Sequence, residues 1–163
     1  MTRGQDEPVL RTSVRLLLLD EADRLLMFSS IDDSDGHTFW FPAGGGREEG
    51  ETLAQTAARE AHEETGLTEL ALGPEVWRRR AIGSWGGTTY DCQEHYFLAR
   101  VGSFDIDTAG FTEDERTSIT GHRWWTQDEL NATGDRLVPG NLRSLLAALL
   151  VSGPPEAPII LTA

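Results

Sequence analysis

Glu60, Glu63 and Glu64 stand close together in the run Arg59-Glu60-Ala61-His62-Glu63-Glu64. On an α-helix each residue advances by about 100°, so the three carboxylates fall within an arc of roughly 100°, on one face. Leu53, Ala54, Ala57, Ala58 and Ala61 form the apolar stripe of the same helix, and Glu60 and Glu64 lie along its edge. Half-buried carboxylates are the expected result. Like charges at i, i+3 and i+4 cost a helix about 0.2–0.5 kcal/mol per pair, and partial burial adds to that cost. A counter-cation removes it. Three hard oxygen ligands beside Gly44-Gly45-Gly46, a stretch able to offer a backbone carbonyl, suit Mg²⁺ or Mn²⁺. The competing interpretation is a solvated glutamate face, which is what most Glu-rich helix surfaces are.

The elements that must hold these residues are legible on both sides. Thr52 with Gln55 makes a capping box, Leu53 to Thr65 is rich in helix formers, and Gly66 suits a left-handed C-cap. Phe39-Trp40-Phe41 reads as a short strand leading into a tight loop at Pro42 to Gly46. Upstream, Val14 to Leu19 and Leu25 to Phe28 flank the polar turn Asp20 to Arg24 and predict a hairpin. Its four consecutive leucines do not alternate, as expected of a central strand covered on both faces. Ile31 to Thr38 is an acidic loop; Ile31 and Pro42 occupy places where a calcium loop needs ligands, which excludes that site. Downstream, Glu75 to Trp85 and Gln93 to Val101 read as strands joined through Gly86-Gly87, and His122 to Thr126 as another. Thr126 caps a short helix through Leu130, and Pro139 to Val151 is a helix with a leucine face. Gly153-Pro154-Pro155 is expected to end regular structure. The sum is a single α/β domain over 12–152, with a flexible segment at 1–11 and a Pro-rich tail at 153–163.

Read from Gly45, the chain runs through five residues to Glu51, seven more to Arg59-Glu60, and closes on Glu63-Glu64-Thr65-Gly66-Leu67. This resembles the Nudix box, G-x5-E-x7-R-E-U-x-E-E-x-G-U with U apolar, at every specified position; Ala61 is the smallest of its apolar slots. The resemblance implies a Nudix-like α/β/α sandwich around a mixed β-sheet, and hydrolysis of a nucleoside diphosphate linked to a further group. It also implies metal ligation by Glu60, Glu63 and Glu64, with the Gly44 carbonyl as a further ligand, and a catalytic set of Arg59, Glu63, Glu64 and Glu115. In that set Arg59 orients a carboxylate, and Glu63 or the downstream acid takes the proton of the attacking water. Glu113 and Glu94 meet the same description as Glu115, and the sequence does not choose among the three. Glu51 ties the loop to the helix or simply favours the helix N-terminus.

Composition narrows the function classes. The net charge is −13, from 27 acidic and 14 basic residues, and it opposes binding to DNA or to an anionic membrane. A diphosphate substrate then needs divalent cations to reverse the field locally. Every basic residue is arginine, so lysine Schiff-base chemistry is excluded. The lone Cys92 rules out an internal disulfide and a multi-cysteine zinc site, and it has neither a neighbouring glycine elbow nor an evident activating histidine. His37, His62, His95 and His122 show no metal-binding spacing. No apolar run approaches the roughly 20 residues of a membrane span, and the polar start does not read as a secretory signal, so the expected compartment is the cytoplasm.

For substrate contacts, Trp85 and Tyr90 are the aromatic faces proposed to stack on a base, whereas Trp40 is assigned to core packing. Arg78 and Arg80 are phosphate-contact candidates; alternation on a strand sends Arg79 to the opposite face. The partner expected is a small nucleotide, with a modified or ordinary nucleoside triphosphate placed ahead of ADP-ribose, a nucleotide sugar or a dinucleotide. A nucleotide-sensing domain without turnover is the rival from another class, and a homodimer is compatible with the chain.

Overall fold

The four leucines that break alternation supply two cores at once. In the computed structural model, which describes residues 7–85 and 87–162 with the Trp85 side chain left aside, Leu17 and Leu19 enter one buried cluster and Leu16 and Leu18 the other. All four are fully buried, as a strand covered on both faces requires.

The elements follow in the order β1 (Val9–Leu19), β2 (Leu25–Ile31), β3 (Thr38–Gly46), α1 (Leu53–Thr65), β4 (Glu75–Trp85), β5 (Thr88–Arg100), α2 (Glu113–Ser118), β6 (Ile119–Trp125), α3 (Gln127–Ala132), β7 (Arg136–Leu137), α4 (Leu142–Ser152) and β8 (Ile159–Leu161). They form one mixed sheet in the order β6-β2-β3-β1-β5-β4-β8, with β7 paired to β3. β1 sits at its centre, antiparallel to β3 and parallel to β5 along its whole length. Ala57 and Ala61 of α1 join the Leu16 cluster on one face. Leu130 of α3 and Leu142, Leu146 and Leu149 of α4 close the other. This is the sandwich expected, helices on both faces of a mixed sheet. No helix among the described residues is long and apolar enough to cross a membrane.

The predicted β1–β2 turn is present, with Asp20 Oδ1 accepting the N–H groups of Ala22 and Arg24 at 3.0 and 2.9 Å. Other boundaries differ, for identifiable reasons. Pro42 to Gly46 is not a loop but the second half of β3, with Pro42 opposite Met27 and Ala43 to Gly46 paired with Leu16 to Ser13. Regular structure resumes after Gly153-Pro154-Pro155, because Ile159–Leu161 lies parallel against Trp77–Arg79. At the other end, Val9–Arg11 pair with Tyr90–Cys92, so strand order begins ahead of the boundary drawn at Thr12. β5 starts at Thr88 rather than Gln93, because Thr88–Cys92 pair with Ala81–Trp85. β6 begins at Ile119, three residues ahead of His122, where it pairs with Ser30. α4 starts at Leu142, past the turn at Pro139, whose carbonyl accepts from the Leu142 N–H. α2 was not foreseen.

Candidate active site

α1 is held at both ends as its sequence dictates. The Thr52 side chain accepts from the Gln55 N–H at 3.1 Å and the Gln55 side chain returns a bond to the Thr52 N–H at 2.9 Å, while Gly66 takes the left-handed conformation at φ 79°. The face it buries is rotated from the predicted stripe. Thr56, Ala57, Glu60, Ala61, Glu64 and Thr65 are buried, whereas Ala54 and Ala58 are exposed. Glu60 and Glu64 therefore lie inside the interface between helix and sheet, at 7% and 1% exposure.

The glycines of β3 make room for them. A Cβ on Gly45 would stand 2.5 Å from Glu60 Oε1, so only a residue without a side chain lets that carboxylate occupy its place. Gly44, at φ 140°, passes so close to β1 that a Cβ would meet the Val14 carbonyl oxygen at 2.0 Å. Its N–H donates to Glu64 Oε1 at 3.1 Å. Its carbonyl is turned towards Arg15 Nη1, at 3.4 Å.

The third carboxylate comes from α2. Thr112 and Glu115 form a capping box there, and a carboxylate oxygen from each of Glu60, Glu64 and Glu115 lies within 4.8 Å of the others. Desolvation pushes the Glu64 carboxyl well above its ordinary range, reinforced by the charges of Glu60 and Glu115. Burial likewise raises Glu60, against the opposing pull of Arg59. Two buried acids whose ionised forms burial disfavours, with a third carboxylate at their side, make a site where a bound cation would offset the cost of ionising them. Such a donor set, oxygen only and partly dry, fits a small divalent cation.

Glu63 stands outside that trio. Its side chain is 31% exposed and its Oε2 lies 3.4 Å from Arg59 Nη1. Arg59 is the hub of the box: it donates to Glu51 Oε2 at 2.8 Å and Oε1 at 2.9 Å, to the Gly46 carbonyl at 2.8 Å and to Glu60 Oε1 at 2.9 Å. Glu51 also accepts from the Glu48 N–H and the Thr56 hydroxyl. Held chiefly by Arg59, its carboxyl is lowered to about 2. Glu51 thus ties the loop to the helix.

Of the three downstream acids, only Glu115 reaches the cluster. Glu113 is exposed on the first turn of α2. Glu94 has both oxygens engaged, accepting from Arg15 Nε at 3.1 Å and from Arg79 Nη1 at 2.8 Å. Arg15, and the pairing of Arg15 and Arg79 through Glu94, escaped sequence reasoning, although Arg11, Ser13 and Arg15 recur with period two at the start of an otherwise apolar strand, and that signal was available. They line a cavity of about 480 Å³ whose other wall carries Phe39, Phe41 and Val138. The acidic groove, about 660 Å³, adjoins it, and Arg11, Arg15, Phe41 and Ser118 line both.

The proposed substrate contacts fare unevenly. Arg78 and Arg80 are 51% and 67% exposed and pair with Glu75 and Asp91, so they are not brought to the groove. Arg79 faces the opposite way, as alternation requires. Tyr90 is half-buried, with the Arg11 guanidinium 5.9 Å from its ring centroid. The Trp85 side chain lies outside the described residues. Trp40 packs edge-on against Trp125 at 5.0 Å, in keeping with its core assignment. Cys92 is buried in the cavity wall, and desolvation raises its thiol rather than activating it.

Comparison with known proteins gives the same frame. The family model described as NUDIX domain matches residues 9–146. No curated protein sequence matches the chain. Among solved structures, the chain is similar to the MutT protein from Methanosarcina mazei Go1, at a TM-score of 0.64 and 19% identity over 89% of this chain and 96% of that one. It is similar to the C. elegans Ap4A hydrolase in its binary complex, at 0.61 and 18% identity, covering 86% and 98%. A third similar structure is the E. coli dihydroneopterin triphosphate pyrophosphohydrolase, at 0.59 and 21% identity, covering 88% and 98%. At such identities the likeness is one of fold; the family model covers most of the chain, and with the complete box at Gly45–Leu67 the chain belongs to the Nudix family, as a hydrolase acting on pyrophosphate bonds.

Proposed function

We propose that this protein is a divalent-cation-dependent pyrophosphohydrolase cleaving a nucleoside diphosphate linked to a further group, with nucleoside triphosphates, split to monophosphate and diphosphate, as the foremost substrates. The observation that carries the proposal is the convergence of Glu60, Glu64 and Glu115 from two separate helices beside a cavity large enough for a nucleotide fragment. Glu60, Glu64 and Glu115 would hold Mg²⁺ or Mn²⁺, with the Gly44 carbonyl as a further ligand. When bound, the cation neutralises the pyrophosphate and lowers the pKa of the attacking water. Glu63, left outside the trio and more exposed, is the carboxylate free to accept that water's proton. Arg59 keeps Glu60 and the glycine strand in register by bonding both. Water adds to one phosphorus as the bridging P–O bond breaks, and the phosphate of the departing group leaves with the bond's electron pair.

The test is to incubate the protein with nucleoside triphosphates, nucleotide sugars, ADP-ribose and dinucleotides, with and without Mg²⁺ or Mn²⁺, and to identify the products. Cation-dependent release of a nucleoside monophosphate is the expected result. Binding with no cleavage of any of them would replace the proposal with a nucleotide-sensing role, and preferred cleavage of ADP-ribose or a nucleotide sugar would replace the triphosphate.

A further inference from the structure

The cavity beside the acidic groove carries a charge opposite to that of the chain. Its lining guanidiniums and carboxylates are Arg11, Arg15, Arg79 and the single acid Glu94, in a protein of net charge −13. Arg15 and Arg79 are 25% and 21% exposed and share Glu94. A guanidinium has five N–H donors. Glu94 takes one from each arginine, and one more from Arg15 is directed at the Gly44 carbonyl. Donors remain on both. Two half-buried cations hydrogen-bonded to a single carboxylate present more positive than negative charge to the cavity, an excess that an entering anion would neutralise. Planar guanidiniums match phosphate oxygens in paired hydrogen bonds. Arg15 also places this charge near the carboxylate trio, since it contacts the Gly44 carbonyl, the Gly44 N–H donates to Glu64, and Arg15 lines the acidic groove as well as the cavity.

Resting on the hydrolase proposed above, we infer that Arg15 and Arg79, bridged by Glu94, form an anion subsite for a substrate phosphate outside the scissile pair, so that the group linked to the nucleoside diphosphate itself carries a phosphate. A third phosphate reaches this subsite, whereas the uncharged distal sugar of ADP-ribose gives it nothing to bind.

Two measurements test this. In the first, kcat/KM is determined for ATP and ADP-ribose with Mg²⁺ or Mn²⁺, using the wild type, Arg79→Gln and Arg79→Lys. The expected ATP to ADP-ribose ratio is about tenfold or more in the wild type, falls about tenfold in Arg79→Gln through the KM for ATP, and largely recovers in Arg79→Lys. A wild-type ratio below one, or a ratio that persists in Arg79→Gln while both rates fall together, overturns the subsite and leaves Arg79 a structural residue. The second measurement does not depend on turnover: calorimetric titration of the wild type and Arg79→Gln with inorganic tripolyphosphate and diphosphate in Mg²⁺. Tripolyphosphate should bind about tenfold more tightly than diphosphate, and Arg79→Gln should abolish the difference. Equal binding, or no binding of either, overturns the subsite. If no nucleotide is hydrolysed, the hydrolase reading falls by itself, and the calorimetry still decides the subsite.

Discussion

Replacing Gly45 by alanine separates the site from the fold that carries it. The new methyl would sit 2.5 Å from Glu60 Oε1, 2.6 Å from its Cδ and 2.8 Å from Oε2. Ordinary contact needs roughly 3.5 Å, so the carboxylate must retreat by about 1 Å. It is the end of a flexible side chain and Gly45 is not among the glycines at positive φ, so the stability cost should stay within about 1 kcal/mol. The chemical cost is larger, because a metal site tolerates ligand displacements of only about 0.2 Å and a misplacement of about 1 Å costs on the order of 100-fold in rate. Gly44→Ala provides the contrast, since its methyl would meet the Val14 backbone at 2.0 Å with φ at 140°, and the strand pairing itself must give way. Thermal unfolding and cation-dependent kcat/KM, measured on both variants, distinguish the cases. Gly45→Ala should melt near the wild type yet lose activity about 100-fold, whereas Gly44→Ala should be destabilised by several kcal/mol, on the order of a severe backbone clash. Full activity in folded Gly45→Ala would refute the claim that Glu60 must occupy the place that glycine vacates.

Further outcomes follow from the same geometry. Glu115→Gln should weaken Mn²⁺ binding by about tenfold or more, while Glu113→Gln, on the exposed turn of the same helix, should leave it unchanged; isothermal titration reads both. Arg59→Lys cannot reproduce the fork that bonds Glu51, Glu60 and the Gly46 carbonyl, and should cost about 1–3 kcal/mol in denaturant unfolding together with a fall in kcat. The raised carboxyls of Glu60 and Glu64 make the folded cation-free protein bind more protons than the unfolded chain above the ordinary value of 4.5. Its stability should therefore fall as pH rises from that value through their folded pKa values, and Mg²⁺, which requires the ionised acids, should raise the Tm more at about pH 8 than at about pH 5. Glu51 works in the opposite sense: lowered to about 2, it stabilises the fold above the ordinary carboxyl range and loses that contribution as pH falls towards 2. An equal Mg²⁺ effect at both pH values would contradict the assignment of the raised acids to the cation site.

The sequence was most informative where one residue type had a single physical use. Thr52, Gln55 and Gly66 delimited α1 to the residue, and Leu16–Leu19 marked the central strand. It was less informative where a residue could serve two ends. Gly44-Gly45-Gly46 read as loop because glycine permits turns, yet here glycine permits close passage of a strand against β1 and Glu60. Ala54 and Ala58 were placed in the core because alanine is apolar, but the buried face turned towards Glu60 and Glu64, which the edge position on the stripe had suggested only in part. α2 carried its signal openly, as Thr112 and Glu115 spaced for a capping box. Selection of Glu115 over Glu94 and Glu113 needed tertiary structure, because it depends on which acid two arginines had already claimed.

The central claim is that Glu60, Glu64 and Glu115 hold a divalent cation, and direct titration of Mn²⁺ into the protein, followed by the loss of the free-ion electron paramagnetic resonance signal, tests it without requiring any substrate. Saturable binding in the wild type, with Glu64→Gln folded but unable to take up the ion, is the predicted result. Equal Mn²⁺ uptake by folded Glu64→Gln and the wild type, or no uptake by either, would contradict it.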